Sequence, residues 1–372
     1  MSNIEYDKIT GLHLELTTKC NAFCPMCNRN YKGKVREKLK MTELSLEDCK
    51  KILNKDFLSK LKLISMCGVF GDPINNRDLL KIIEYIYSIN PKVVINIYTN
   101  GSIHNRNWWT KLANTLKNGR VIFGIDGLSK VSELHRCNTD FNKVISNAKT
   151  YIDAGGIAQW DYIVFKHNEH QVDEARKLSE ELGFATFQIK KTSRFFKEIY
   201  EKDEFLDSSI LDYGKHPVYD HNGKIKYVIE LPIDKKYRNS TEQNILDIFK
   251  QYKDYNAYLD QVTIECQAIK TRGIFISAFG EVFPCCTIYQ QVCYGSIFGV
   301  TDDLELNEYK LYQQYDISAF NSSIKDIVLG EFFKKIQESF GKKSLKEGKC
   351  KSCSRACGKN LDIHGNSHSG GC

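Results

Sequence analysis

The sequence predicts an α/β fold with a parallel sheet, followed by a small C-terminal domain built on a β-hairpin and a helix. Three observations carry this. Between residues 11 and 190, six short apolar runs alternate with amphipathic stretches at helical spacing. Glycine- or asparagine-bearing turns follow several of the runs. The 14 cysteines fall mostly into two groups, one directly after the first run and one in the last third of the chain.

The elements follow in order. Residues 12–16 alternate behind Gly11 and read as a strand. Residues 45–58 carry Leu46, Ile52, Leu53 and Leu58 at helical spacing, with Ser45 as N-cap. Strands are expected at 61–66, 93–98, 121–125, 160–165 and 186–189, the one at 93–98 being rich in β-branched residues. Helices are expected at 77–89, 108–116, 141–152 and 169–182, the last two stopped by Gly155-Gly156 and Gly183. Six strand–helix units fit either an open α/β sheet or a partial (β/α)6 barrel, and the barrel is preferred because the motifs fall on strand ends. Residues 191–260 are polar, aromatic-rich (Phe195, Phe196, Tyr200, Phe205) and poorly periodic. Within them, Asn222-Gly223 predicts a type I′ hairpin over 218–229, and a helix is expected at 242–252. A second hairpin is predicted around Gly280 and a helix at 327–340.

Composition narrows the function classes. With 42% hydrophobic and 27% charged residues the chain is a folded globular protein. No apolar run reaches a membrane span, and the polar first ten residues are not a signal peptide, so a cytoplasmic protein without membrane contact is expected. A net charge of +7 spread along the chain does not call for a nucleic acid. So many cysteines in such a protein read as metal ligands or reactive thiols rather than disulfides. Cys49, Cys67 and Cys137 stand alone and read as buried small hydrophobes.

The first group is Cys20, Cys24 and Cys27. Three thiols in one short loop, with no fourth ligand nearby, can hold three corners of an iron–sulfur cubane and leave one iron open. The pattern Cys-x3-Cys-x2-Cys just past a first strand resembles the radical S-adenosylmethionine (SAM) superfamily. That resemblance implies a partial (β/α)6 TIM-like barrel over residues 1–190 and a 4Fe–4S cluster whose open iron binds SAM. It also implies reductive cleavage of SAM to a 5′-deoxyadenosyl radical that takes hydrogen from a C–H bond. The run Cys67-Gly68-Val69-Phe70-Gly71-Asp72-Pro73 is similar to the family's Gly-Gly-Glu-Pro motif. Phe70 stands for the first glycine and Asp72 for the glutamate, so Phe70, Gly71, Asp72 and Pro73 are expected at the SAM amine. Thr99, Asn100 and Asp126 end the next two strands, where the ribose and substrate are expected; read alone, Asn-Gly and Asp-Gly are ordinary turns. His167 and His170 lack a third ligand and read as surface or capping residues.

The second group, Cys266-x13-Gly280-x4-Cys285 with Cys350, Cys353, Cys357 and Cys372, resembles the SPASM or twitch auxiliary-cluster extension. One cysteine of the full pattern is missing. The resemblance implies at least one auxiliary 4Fe–4S cluster held by Cys266, Cys285 and two downstream cysteines. A second, incompletely cysteine-ligated cluster and a zinc site remain alternatives. Sulfatase-maturing relatives place an aspartate base where this chain has Cys286, which puts that reaction in doubt and makes Cys286 a candidate hydrogen donor. Division into a 1–190 barrel, a 191–260 bridging region lining the cleft and a 261–372 auxiliary domain is expected. So is a flavodoxin- or ferredoxin-type electron donor. The substrate is a peptide or protein, or alternatively a small molecule such as a sugar or alcohol. A non-catalytic metal-stabilised binding protein is the remaining reading.

Overall fold

The computed structural model describes residues 3–192, 194–196, 214–240, 248, 251–252, 254–298 and 307–358. The predicted six strands form: β1 (Gly11–Leu14), β4 (Leu63–Met66), β5 (Val94–Thr99), β6 (Gly119–Gly124), β7 (Ala158–Ile163) and β8 (Thr186–Lys190). Between β1 and β4 lies a small hairpin, β2 (Asn30–Tyr31) and β3 (Lys34–Val35). The six strands pair in chain order and all in parallel, with registers such as Gly11↔Leu63, Leu63↔Val94, Ile95↔Gly119 and Gln159↔Thr186. Helices α1 (Leu46–Ile52), α2 (Lys55–Lys60), α3 (Leu79–Ile89), α4 (Arg106–Thr115), α6 (Phe141–Asp153) and α7 (Val172–Leu182) connect them, with a short α5 (Lys130–Glu133) after β6. This is the partial barrel rather than two half-sheets wound in opposite directions.

Local chemistry explains most boundaries. Ser45 and Asp48 form a capping box that starts α1. The helix expected over 45–58 is two helices, because the Asn54 side chain accepts from Phe57 N–H and restarts the chain as α2. Gly183 ends α7 at φ +88°. Trp109, Phe123, Tyr151 and Trp160 are fully buried and fill the space between sheet and helices.

The C-terminal hairpin, β11 (Gly273–Ile276) and β12 (Val282–Phe283), forms as expected. Its position was not foreseen. β11 pairs in parallel with β1, Leu12 opposite Ile274, so the sheet runs β12-β11-β1-β4-β5-β6-β7-β8. The hairpin β9 (Lys215–Tyr219) and β10 (Ile225–Glu230) also forms, without the type I′ turn. Only Gly223 takes a positive φ there, and the Asp220 carboxylate accepts from the Asn222 and Lys224 N–H groups to close a longer loop. The helix expected at 327–340 is broken at Gly330 into two pieces. The helix expected at 242–252 falls largely outside the described residues, as do Tyr200 and Phe205. The C-terminal region adds α8 (Tyr255–Gln261), α9 (Gln267–Thr271), α10 (Cys286–Phe298), α11 (Asn307–Gln314), α12 (Ile324–Leu329), α13 (Glu331–Glu338) and α14 (Lys351–Cys357).

A second apolar cluster joins Met26 of the cysteine loop to Val218 and Ile229 of the β9–β10 hairpin and to Tyr258, Leu259 and Val262 of the C-terminal region. The hairpin is therefore held over the first cysteine loop. His216 Nε2 lies 3.2 Å from the Pro25 carbonyl, and Arg194 donates to the Met26 carbonyl at 3.0 Å.

Candidate functional site

The loop of Cys20, Cys24 and Cys27 leaves the C-terminal end of β1, the end at which barrel loops converge. It is tied down from three sides. Lys19 O accepts from Asp72 N–H at 2.9 Å, Phe23 N–H donates to Cys137 O at 2.7 Å, and the Asn138 amide donates to Asn21 O at 2.6 Å. All three thiols are free. Burial, with Asp72 and the two other thiols nearby, holds Cys20 well above the usual thiol range; burial pushes Cys24 up to about 12 despite the Arg136 guanidinium beside it. Such thiols keep their protons at neutral pH until a metal centre displaces them.

The sites expected at the strand ends gather around this loop. Asp72 is buried, and its Oδ2 accepts from Thr99 Oγ1 (3.0 Å), Asn100 N (2.8 Å) and Asn100 Nδ2 (2.7 Å). The same Asn100 amide reaches Asn21 Oδ1 at 3.2 Å and Cys20 Sγ at 3.7 Å. Asp72 thus locks the end of β5 to the cysteine loop, and a ligand amine would have to compete with three internal donors for it. Burial raises its carboxyl to about 6 against those bonds. Pro73 sits in the 3₁₀ turn that Asp72 caps. Gly71 is obligatory, since a Cβ would stand 1.8 Å from Thr17 O.

Asp126 is fully buried and has no free oxygen. Oδ2 accepts from His135 Nδ1 (2.7 Å) and Arg136 Nε (2.6 Å), and Oδ1 from Ile163 N–H (2.7 Å). Burial alone would raise its carboxyl, but Arg136 and His135 outweigh it and bring it to about 2. Burial lowers His135, so the ring is neutral at pH 7 and Nδ1 carries the donated proton. The Arg136 guanidinium occupies the space where Gly124 has no side chain, a Cβ there lying 2.5 Å from Nη2. From that position it hydrogen-bonds Cys24. A fixed cation therefore faces one thiol of the triad, which suits an anionic thiolate-ligated centre.

Sequence reasoning missed His135, Arg136, Asn21 and Glu15. Only Glu15 left a signal, a charged residue inside an alternating apolar run. His167 Nε2 is buried without a hydrogen bond and stacks on Phe165, and it does not join His170 in a metal site.

In the second group the structure brings together Cys266, Cys285, Cys350, Cys353 and Cys357. The charge on Cys285 is felt by Cys353; Cys266 acts on Cys285, Cys353 and Cys357; and Cys350 acts on Cys353 and Cys357. Cys266 is the N-cap of α9, Cys285 immediately precedes α10, and Cys350 is the N-cap of α14, its sulfur accepting from Cys353 N–H at 3.3 Å. The Cys285 sulfur takes backbone N–H groups of Thr287 and Ile288, and that of Cys266 those of Ala268 and Ile269. Burial raises both thiols, Cys285 to about 12, and these backbone donors offset part of that rise. Cys286 is disulfide-bonded and presents no S–H. Cys372 lies outside the described residues. Among the described residues no three His, Cys, Asp or Glu side chains close on one point as a single metal ion requires. The corners of a cubane stand farther apart than the donors of one ion. Both sets of thiols, gathered with donors aimed at sulfur, fit a multi-iron group in chemistry.

Residues 14–178, a little under half of the chain, match the model of the radical SAM superfamily. It is 25% identical over 293 residues to the antilisterial bacteriocin subtilosin biosynthesis protein AlbA of Bacillus subtilis, covering 76% of this chain and 56% of that protein. It is 26% identical over 113 residues to the FeMo cofactor biosynthesis protein NifB of Methanocaldococcus jannaschii, covering 29% of this chain and 37% of that protein. The chain thus spans well under two thirds of either relative. Among solved structures, Streptococcus suis SuiB bound to precursor peptide SuiA shares the fold with a TM-score of 0.55 at 14% identity, over 94% of this chain and 72% of that one. No helix among the described residues is long and apolar enough to cross a membrane.

Proposed function

We propose that this protein is a radical SAM oxidoreductase that modifies a peptide or protein substrate. The observation that carries it is the triad of free thiols at Cys20, Cys24 and Cys27, on the loop leaving β1 at the mouth of a superfamily barrel. When bound there, a reduced 4Fe–4S cluster with one open iron supplies the electron that cleaves SAM and so the radical that takes hydrogen from substrate. The chain's own residues do the positioning. Cys20, Cys24 and Cys27 hold three corners. Arg136, clamped by Asp126, sets a positive charge at Cys24. Asn100 spans Cys20, Asn21 and Asp72, and so fixes the loop to the turn of Phe70, Gly71, Asp72 and Pro73, where SAM is received. The β9–β10 hairpin packs against Met26 and Pro25 and so covers one side of the loop.

Cys266, Cys285 and two of Cys350, Cys353 and Cys357 hold one auxiliary cluster, with residues 1–190, 191–260 and 261–372 as barrel, bridge and auxiliary domain. Cys286 serves as hydrogen donor only after its disulfide is reduced. An external flavodoxin- or ferredoxin-type protein supplies electrons. The peptide substrate is supported by two of the similar proteins, a bacteriocin biosynthesis protein and SuiB, which binds the precursor peptide SuiA.

The test is iron and sulfide content after anaerobic reconstitution, for the wild type and a Cys20, Cys24, Cys27→Ala triple variant, followed by SAM and dithionite. About eight irons falling to about four, with 5′-deoxyadenosine from the wild type alone, is expected. Zinc without iron and intact SAM would overturn the reading.

A further inference from the structure

The turn at residues 68–73 departs from the family pattern at Phe70, and the reason lies beneath it. Phe70 points inward and is 1% exposed. Its ring meets Tyr289 edge-on, centroids 5.8 Å apart. Tyr289 is fully buried, stacks on Phe275 of β11 at 4.8 Å and meets Phe283 of β12 at a tilt, centroids 5.2 Å apart. It sits on α10, one turn past Cys285. On the other side stands Glu15, fully buried just beyond β1. Its Oε1 accepts from Phe70 N–H at 2.7 Å, and the carboxyl faces the Val69 and Gly71 N–H groups as well. The outer face of the turn is pressed on the chain before Cys20, where Asp72 N–H donates to Lys19 O and Gly71 touches Thr17 O. The turn is therefore gripped between the cysteine loop outside and a Glu15–Phe70–Tyr289 socket inside.

We propose that Glu15 and Tyr289 are positioning residues for SAM. Glu15 orients the backbone of the Val69–Gly71 turn, and the Tyr289 ring, supplied by the C-terminal region, wedges Phe70 so that the turn keeps its receiving shape. The inference rests on the reading of this turn as the SAM amine site. It assigns one wall of that socket, Tyr289, to the chain beyond residue 260, outside the segment that matches the superfamily. A structural filler at Tyr289 would affect stability alone. A positioning residue changes SAM affinity with the cluster still in place.

The experiment measures SAM binding by equilibrium dialysis on fully reconstituted protein, with the change in the cluster's electron paramagnetic resonance signal on SAM addition as second readout. The variants are Glu15→Gln, Tyr289→Leu and Tyr289→Phe, each with iron content counted. Glu15→Gln and Tyr289→Leu are expected to weaken SAM binding about tenfold or more at wild-type iron content. Tyr289→Phe, which keeps the ring, is expected to bind as the wild type and to fold even if the others do not. Tenfold weaker binding by Tyr289→Phe, or wild-type binding by iron-loaded Glu15→Gln and Tyr289→Leu, overturns the proposal. Should the two stronger variants not retain iron, Phe70→Leu takes their place, with the same weakening expected and wild-type binding again overturning it. A wild type that holds iron and binds no SAM would take down the functional reading together with this inference, whereas equal binding by variants and wild type takes down this inference alone.

Discussion

Replacing Asp126 by Asn removes a charge and almost no volume. The amide can still accept Ile163 N–H at the Oδ1 position, so the end of β7 keeps its register. What is lost is the counterion of Arg136, whose Nε stands 2.6 Å from a carboxylate that is itself fully buried. Breaking a buried pair from one side costs about 3–5 kcal/mol, because the remaining charge is left without a partner. Urea unfolding of the cluster-free protein, followed by tryptophan fluorescence, reads this directly: Trp160 donates its indole N–H to Ile125 O, next to the substituted residue. Arg136→Met alone should be about as damaging, and the double variant should recover part of the loss, as coupled neighbours do. The pH dependence has a definite sign. The carboxyl titrates near 2 when folded against 3.8 unfolded, so its stabilising effect is present above about pH 4 and lost as pH falls toward 2. An Asp126→Asn variant within about 0.5 kcal/mol of the wild type at pH 7 would refute the clamp, since that is the scatter of inconsequential surface changes.

Four further outcomes are expected. Gly71→Ala places a methyl 1.8 Å from Thr17 O and 3.0 Å from Lys19 O, so SAM binding measured by dialysis should be lost while the barrel still folds. Glu15 is raised by burial to about 7 from 4.5, so the native state holds the extra proton between those values and stability falls as pH rises through that window, by about 3 kcal/mol in all. Glu15→Gln should flatten that part of a stability–pH profile. Cys49 is fully buried on α1, far in sequence from either thiol group; Cys49→Ala should cost about 1 kcal/mol in urea unfolding and leave the iron count unchanged. Lys349 Nζ ties the carbonyls of Asp260 and Val262, each at 2.7 Å, beside Cys350. Lys349→Met should lower iron retention at the second group while sparing the first, read as iron lost on dialysis against a chelator.

The six parallel strands were legible because each carries a short apolar run, several of them followed by turn residues, a signal that is local. The first thiol triad was legible for the same reason, lying within eight residues. What was not legible was long-range. Nothing near Leu12 announces that Ile274 will pair with it, because a parallel partner 262 residues away leaves no local trace. His135 and Arg136 sit in an irregular stretch after α5 and become partners of Asp126 only through the fold. The break at Asn54 was written in the chain, an N-cap residue in mid-helix, but the helical spacing of Ile52 and Leu58 masked it. Asp72 and Asp126 were read as ligand contacts from their places at strand ends. The structure adds that both are saturated by protein donors, which the residue type alone does not reveal.

The pairing of β11 with β1 has a consequence for how the chain comes to be folded. β1 is paired on one side by a neighbour that follows within about fifty residues, and on the other by one that emerges about 260 residues later. Until then β1 presents an open hydrogen-bonding edge directly beside the cysteine loop. Closing so distant a contact is slow. A nascent or truncated chain ending near residue 260 is thus expected to expose a strand template next to three reactive thiols, and to self-associate unless β11 arrives to cover it.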